Sequence, residues 1–108
     1  AKLKHLLRYL KGTKDYELVI QPHYTVQKGD AAELQVFVDS DWAGCTTTRK
    51  STTGVLITLW GCPLHHVCWT QRTVANSGAE AELYAIRTGT SEGCHYFIAF
   101  KSCGYSSV

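Results

Sequence analysis

Residues 34–39, Leu-Gln-Val-Phe-Val-Asp, restrict the possible folds of this chain more than any other segment. Leu34, Val36 and Val38 fall on one face of an extended strand, and Gln35, Phe37 and Asp39 on the other. Apolar character on both faces predicts a strand inside a sheet, covered above and below. The strand leads into two carboxylates, Asp39 and Asp41, which share a side if the extended conformation continues that far.

The second strong element begins at Ser77. Ser77 and Glu80 have the S-x-x-E spacing of a capping box, which predicts a helix N-terminus there and a helix over 77–103. Ala79, Leu83, Ile86 and Thr90, with Phe97 further on, are its expected core stripe. Ala85, Gly89 and Gly93 recur at intervals of four. Each glycine costs about 1 kcal/mol relative to alanine in a helix interior. Close approach to a neighbouring sheet or helix would account for that cost, and a kink or early end near Gly89 is the alternative.

Between these two elements, 54–60 and 64–70 are β-rich runs separated by Gly61-Cys62-Pro63, the pattern of a hairpin with proline in the turn. At the start of the chain, Leu3, Leu6, Leu7 and Leu10 form one stripe of an amphipathic helix that should stop at Gly12. Lys2, Lys4, Arg8, Lys11 and Lys14 precede any acidic residue, as a solvated helix face or a phosphate-facing stripe. Residues 16–21 have strand composition closed by Pro22, and Gly29-Asp30 marks a turn. The expected division is a connecting segment over 1–33 and a single α/β domain over 34–108.

Composition excludes several classes. No apolar run approaches the roughly eighteen residues of a membrane span, and the basic amphipathic start is not a secretory leader. An intracellular protein is expected. The five cysteines are an odd number, without the paired Cys/His spacing of a zinc site, and read as reduced thiols. His65 and His66 are adjacent on a strand and point to opposite faces, so they do not readily share one ion. The chain contains no methionine, and is therefore expected to be a piece of a longer protein. A net charge of +2 does not by itself imply nucleic acid.

The carboxylates carry the chemistry. Two-metal hydrolysis of a phosphodiester requires rigid acidic ligands holding two cations about 4 Å apart. A short aspartate on a central strand and a longer glutamate on the helix packed against it meet that need, and Asp39 and Glu82 occupy those places. Taken singly, Asp39 and Asp41 read as a strand-end turn and Glu82 as favourable charge near a helix N-terminus. Glu80 is used as the cap partner, so Glu82 is the better candidate for chemistry.

The runs Leu-Leu-Arg-Tyr-Leu-Lys-Gly-Thr-Lys-Asp-Tyr-Glu-Leu, Val-Asp-Ser-Asp-Trp-Ala-Gly, Arg-Lys-Ser-Thr-Thr-Gly, Trp-Thr-Gln and Ser-Gly-Ala-Glu-Ala-Glu-Leu-Tyr-Ala occur in that order. Together they resemble the ribonuclease H region of copia-type LTR retrotransposon Pol polyproteins over nearly the whole chain. The resemblance implies a ribonuclease H-like α/β fold, with a mixed sheet containing a three-stranded antiparallel part, a packed helix, and a C-terminally incomplete domain. It implies that Asp39 and Glu82 belong to an acidic set binding Mg2+ or Mn2+, with Asp41 peripheral, and that the parent protein cleaves the RNA strand of an RNA/DNA hybrid. The remainder of the Pol polyprotein becomes an expected partner, and the cytoplasm or a virus-like particle the expected location. Family members continue into a further acidic strand beside the first, whereas no acidic residue follows Glu92 here. The chain alone is accordingly expected to be inactive, with an open strand edge prone to self-association. Arg49, Lys50, Ser51 and Thr52 are the candidate nucleic-acid contacts, and nucleic-acid binding without catalysis or a structural role are the rival readings.

Overall fold

The computed structural model describes residues 2–23, 25–27 and 29–104. Its elements are α1 (Lys2–Gly12), β1 (Leu34–Asp41), β2 (Thr52–Leu59), β3 (Cys62–Thr70) and α2 (Gly78–Ser102). The three strands form one antiparallel sheet in the order β1-β2-β3, with α2 across one face. This is an α/β architecture, and among the described residues every strand pairing is antiparallel.

The expected hairpin is present with a tighter turn. Trp60 and Gly61 both have positive φ (49° and 78°) and form the whole two-residue loop between Leu59 and Cys62. Two left-handed residues give the turn whose twist matches that of the flanking strands. Pro63 therefore lies in β3, opposite Thr58, beside a register shift between Ile57 and Thr58. Proline is tolerated there because β3 is an edge strand and the bulge already interrupts the ladder. Trp60 also anchors the connecting segment: its backbone N–H donates to Glu33 O (2.9 Å), its indole Nε1 to Ala31 O (3.0 Å), and its carbonyl accepts from His23 N (3.2 Å).

Three further expectations are corrected. Residues 16–21 form no strand, and their apolar side chains are exposed. Among the described residues β1 has an open edge, as expected for the incomplete domain, but it is not covered on both faces, since Phe37 is 52% exposed. The buried stripe of α2 is Ala81, Ala85, Gly89 and Gly93, whereas Leu83 is 65% exposed. Small residues, not large ones, face the sheet because the helix lies directly on it. A Cβ on Gly93 would come 2.7 Å from Val36 Cγ2, and one on Gly89 would overlap Val38 Cγ1. The helix runs unbroken through both glycines, so close approach, not a kink, explains them.

These contacts assign the faces of the sheet. Val36 and Val38 face α2, together with their cross-strand partners Ile57 and Val55. His65 is on the same side, its ring 5.5 Å from that of Tyr96, so His66 points away as expected. The opposite face carries Phe37 and Leu56 as direct neighbours, both exposed. The buried apolar core is small, with Val55 and Ile57 joined by Ala43, Ala75, Ala81 and Ala85.

Candidate functional site

The end of β1, the connector before α2 and the first turns of α2 converge through a buried polar network. Gln71 is only 6% exposed; its Nε2 donates to Thr53 Oγ1 (3.0 Å) and to Ala81 O (2.9 Å), and its backbone N–H donates to Ser51 O (2.8 Å). Ser51 is fully buried and its Oγ accepts from Ala43 N (3.1 Å). Trp42 Nε1 donates to Ala75 O (3.2 Å), tying the strand end to the connector. Sequence reasoning missed Gln71 as an organiser, because a lone glutamine after a strand carries no periodic or capping signal.

The helix start is capped, with one difference from the expected box. Ser77 Oγ accepts from Glu80 N (3.2 Å), but the Glu80 carboxylate accepts from Asn76 N (2.7 Å) and Nδ2 (3.1 Å), and from Tyr84 Oη (2.9 Å). These bonds, that from the Asn76 backbone foremost, hold the Glu80 carboxyl below its ordinary range. Glu80 is thus structurally committed. The side chain of Glu82, half-buried on the adjoining face, makes no hydrogen bond or ion pair among the described residues.

The seating of α2 determines the level of Glu82. Four helix residues advance about 6 Å and two strand residues about 6.6 Å, so Gly93 meets Val36 while Gly89 meets Val38. Continuing seven residues toward the helix start brings Glu82 level with the end of β1. Glu82 lies one turn before Ile86, which lines the groove along the open edge of β1 with Thr90 and Phe97. Asp39 alternates onto the face away from α2, where its Oδ1 accepts from Ser40 N (2.9 Å). Any site shared by Asp39 and Glu82 must therefore wrap around the open edge. Asp41 folds back over the turn, where a Cβ on Gly44 would overlap its carboxylate. Among the described residues, no three His, Cys, Asp or Glu side chains cluster to hold a metal ion.

The candidate nucleic-acid residues are divided by the fold. Arg49 is exposed in the 44–50 loop, with φ of 55° and its N–H donating to Cys45 O (2.7 Å). Lys50 is half-buried, Thr52 opens β2, and Ser51 is withdrawn into the network and cannot reach a ligand. In the same loop, hydrogen bonds from Thr48, its side chain foremost, hold the Cys45 thiol below its usual value. All five cysteines are free. A groove of about 810 Å3 on the other flank of α2, between it and β3, gathers Trp69, Arg72, Tyr84 and Arg87, which sequence reasoning did not connect.

The chain is 42% identical over 93 residues to an uncharacterized mitochondrial protein of Arabidopsis thaliana, a match covering 83% of this chain and 35% of that protein. It is 34% identical over 90 residues to the retrovirus-related Pol polyprotein from transposon RE2 of the same plant, covering 83% of this chain and 6% of the polyprotein. It is 39% identical over 90 residues to the secreted RxLR effector protein 161 of Plasmopara viticola, covering 83% of this chain and 59% of that protein. The chain therefore spans less than two thirds of each of these relatives. No family model matches it, and no solved structure does. No helix among the described residues is long and apolar enough to cross a membrane. Similarity to the Pol polyproteins from transposons RE2 and RE1 supports a retroelement origin for the chain.

Proposed function

We propose that the chain is part of a ribonuclease H-like nuclease domain of a retroelement Pol polyprotein, and that its parent cleaves the RNA strand of RNA/DNA hybrids. The observation that supports it is the seating of α2: with Gly93 on Val36 and Gly89 on Val38, the helix start carrying Glu82 lies toward the strand end bearing Asp39 and Asp41, although Asp39 itself is on the face away from α2. The described residues do not by themselves form a metal centre, so no catalytic step is assigned to a bound ion. What this chain contributes is position: Gln71, Trp42 and the Ser77 cap fix where Glu82 stands, and the β1–β2 ladder fixes Asp39.

Cleavage of an end-labelled RNA strand in an RNA/DNA hybrid, with Mg2+ supplied, tests the reading. The chain alone should remain at background. A longer Pol protein containing it should cleave, and should lose cleavage with Asp39→Asn or Glu82→Gln. Cleavage by the longer protein that survives both substitutions would overturn the assignment.

A second reading, nucleic-acid binding without cleavage, is favoured by the Trp69–Arg72–Tyr84–Arg87 groove. Aromatic faces and arginines together suit a single strand. Affinity that falls steeply with salt and drops in an Arg72→Ala/Arg87→Ala variant would support it.

A further inference from the structure

The groove between α2 and β3 opens at the same end of the sheet as the carboxylates. In the strand register Ser40 pairs with Thr53 and Thr53 with Trp69, so Trp69 shares a cross-strand row with the residue that separates Asp39 from Asp41. Two strand spacings, about 9.6 Å, lie between Trp69 and Ser40. Thr53 and Trp69 both line the groove. From this end it follows α2 from Tyr84 to Glu92, a length of about 12 Å, or about three nucleotides stacked about 3.4 Å apart.

Its side chains are uncommitted where a ligand would meet them. Of the three tryptophans, Trp42 and Trp60 use their indole N–H groups to hold the carbonyls of Ala75 and Ala31. The indole of Trp69 makes no such bond among the described residues and is 39% exposed. Arg72 and Arg87 are exposed, and neither guanidinium has a hydrogen bond or ion pair among the described residues. Tyr84 is held in place by its hydroxyl, which donates to Glu80 Oε1 (2.9 Å). Aromatic rings beside unpaired arginines bind unpaired nucleotides, the rings by stacking on the bases and the arginines by contact with the phosphates. Glu92 repels a phosphate at the far end of the groove, which confines those contacts to the stretch near Arg72 and Arg87.

We infer that the groove holds an unpaired flank of the same nucleic acid whose hybrid part lies at the Asp39–Glu82 end, with a base stacked on Trp69 and phosphates between Arg72 and Arg87. The inference rests on the nuclease reading proposed above and adds the form of the substrate: an RNA/DNA hybrid carrying a single-stranded extension. The shared row of Ser40, Thr53 and Trp69 is what joins the groove to the carboxylate end instead of leaving it a separate surface.

Fluorescence anisotropy of the whole chain with labelled nucleic acid in Mg2+ tests this. A hybrid with an unpaired flank of about three nucleotides should bind about tenfold tighter than the same hybrid made blunt, the worth of one or two stacked bases. Arg72→Gln/Arg87→Gln, which changes only exposed side chains, should abolish that difference and leave binding of the blunt hybrid almost unchanged. Quenching of tryptophan emission by the flanked hybrid should vanish in Trp69→Phe. Equal binding of flanked and blunt hybrids would overturn the inference, as would binding of neither. So would a free single strand bound as tightly as the flanked hybrid, which would make the groove a separate site and favour binding without cleavage. The nuclease reading stands or falls separately, on the loss of cleavage with Asp39→Asn or Glu82→Gln in the longer protein.

Discussion

Gly89 and Val38 meet with no room for a side chain between them, since a Cβ on the glycine would overlap Val38 Cγ1. Helix and strand are in backbone-scale contact at this point. Gly89→Ala should therefore destabilise by about 1–3 kcal/mol, as overpacking does, despite alanine's better helix propensity. Gly78, with nothing near its absent Cβ, should respond in the opposite sense: Gly78→Ala should leave stability unchanged or raise it by up to about 1 kcal/mol. Urea midpoints of the two variants check the pair.

Gln71→Ala should cost about 1–3 kcal/mol, because it leaves Thr53 and Ala81 O without the amide donor that joins them. Hydrogen exchange at the start of α2 should accelerate more than at its end. Equal acceleration throughout would mean that Gln71 does not anchor the helix start.

Glu80 supplies a pH dependence whose sign is fixed. Its carboxyl is held below its ordinary range in the folded chain, so its contribution is fully present above the unfolded-state value and is lost as pH falls through the folded one. Glu80→Gln should lower the thermal midpoint near neutral pH. The gap to the unsubstituted chain should narrow as the solution is acidified below about pH 4. A gap independent of pH would remove the carboxylate from the cap.

Phe37 and Leu56 face each other on the uncovered side of the sheet, next to the unpaired edge of β1. An apolar edge of this kind templates further strand pairing. Phe37→Lys should delay aggregation on prolonged incubation, measured by light scattering, without lowering the urea midpoint. A large loss of stability instead would show that Phe37 packs against something in solution.

The readable parts of the sequence were those whose signal is local. The Ser77 cap, the end of α1 at Gly12 and the presence of the hairpin follow from spacing and turn chemistry, although its turn is Trp60-Gly61 and not the expected Gly61-Cys62-Pro63. The phase of α2 was not readable from hydrophobicity, because the buried stripe is alanine and glycine while Leu83 faces solvent. Small side chains score as weakly apolar, yet only they allow the helix so near Val36 and Val38. The strand composition of 16–21 misled for the converse reason: Leu18, Val19 and Ile20 have β propensity but no strand to pair with. Asp39 and Glu82 could be singled out from the sequence, but which face each occupies depended on the pleat of β1 against α2.

The small-residue stripe of α2 has a period that nearly equals two steps of β1, but its seats differ, because those of Gly89 and Gly93 admit no Cβ while the next two hold Ala85 and Ala81. Sliding the helix by one turn would put Ala85 where Gly89 now sits, and its Cβ would overlap Val38 Cγ1, so packing itself resists that setting. The same setting is held from the 71–77 connector, by the amide of Gln71 on Ala81 O and the indole of Trp42 on Ala75 O. A residue inserted in or deleted from that connector would set these two anchors against the Gly89–Val38 contact, and each residue by which the helix slid would carry the Glu82 carboxylate about 1.5 Å along the strand.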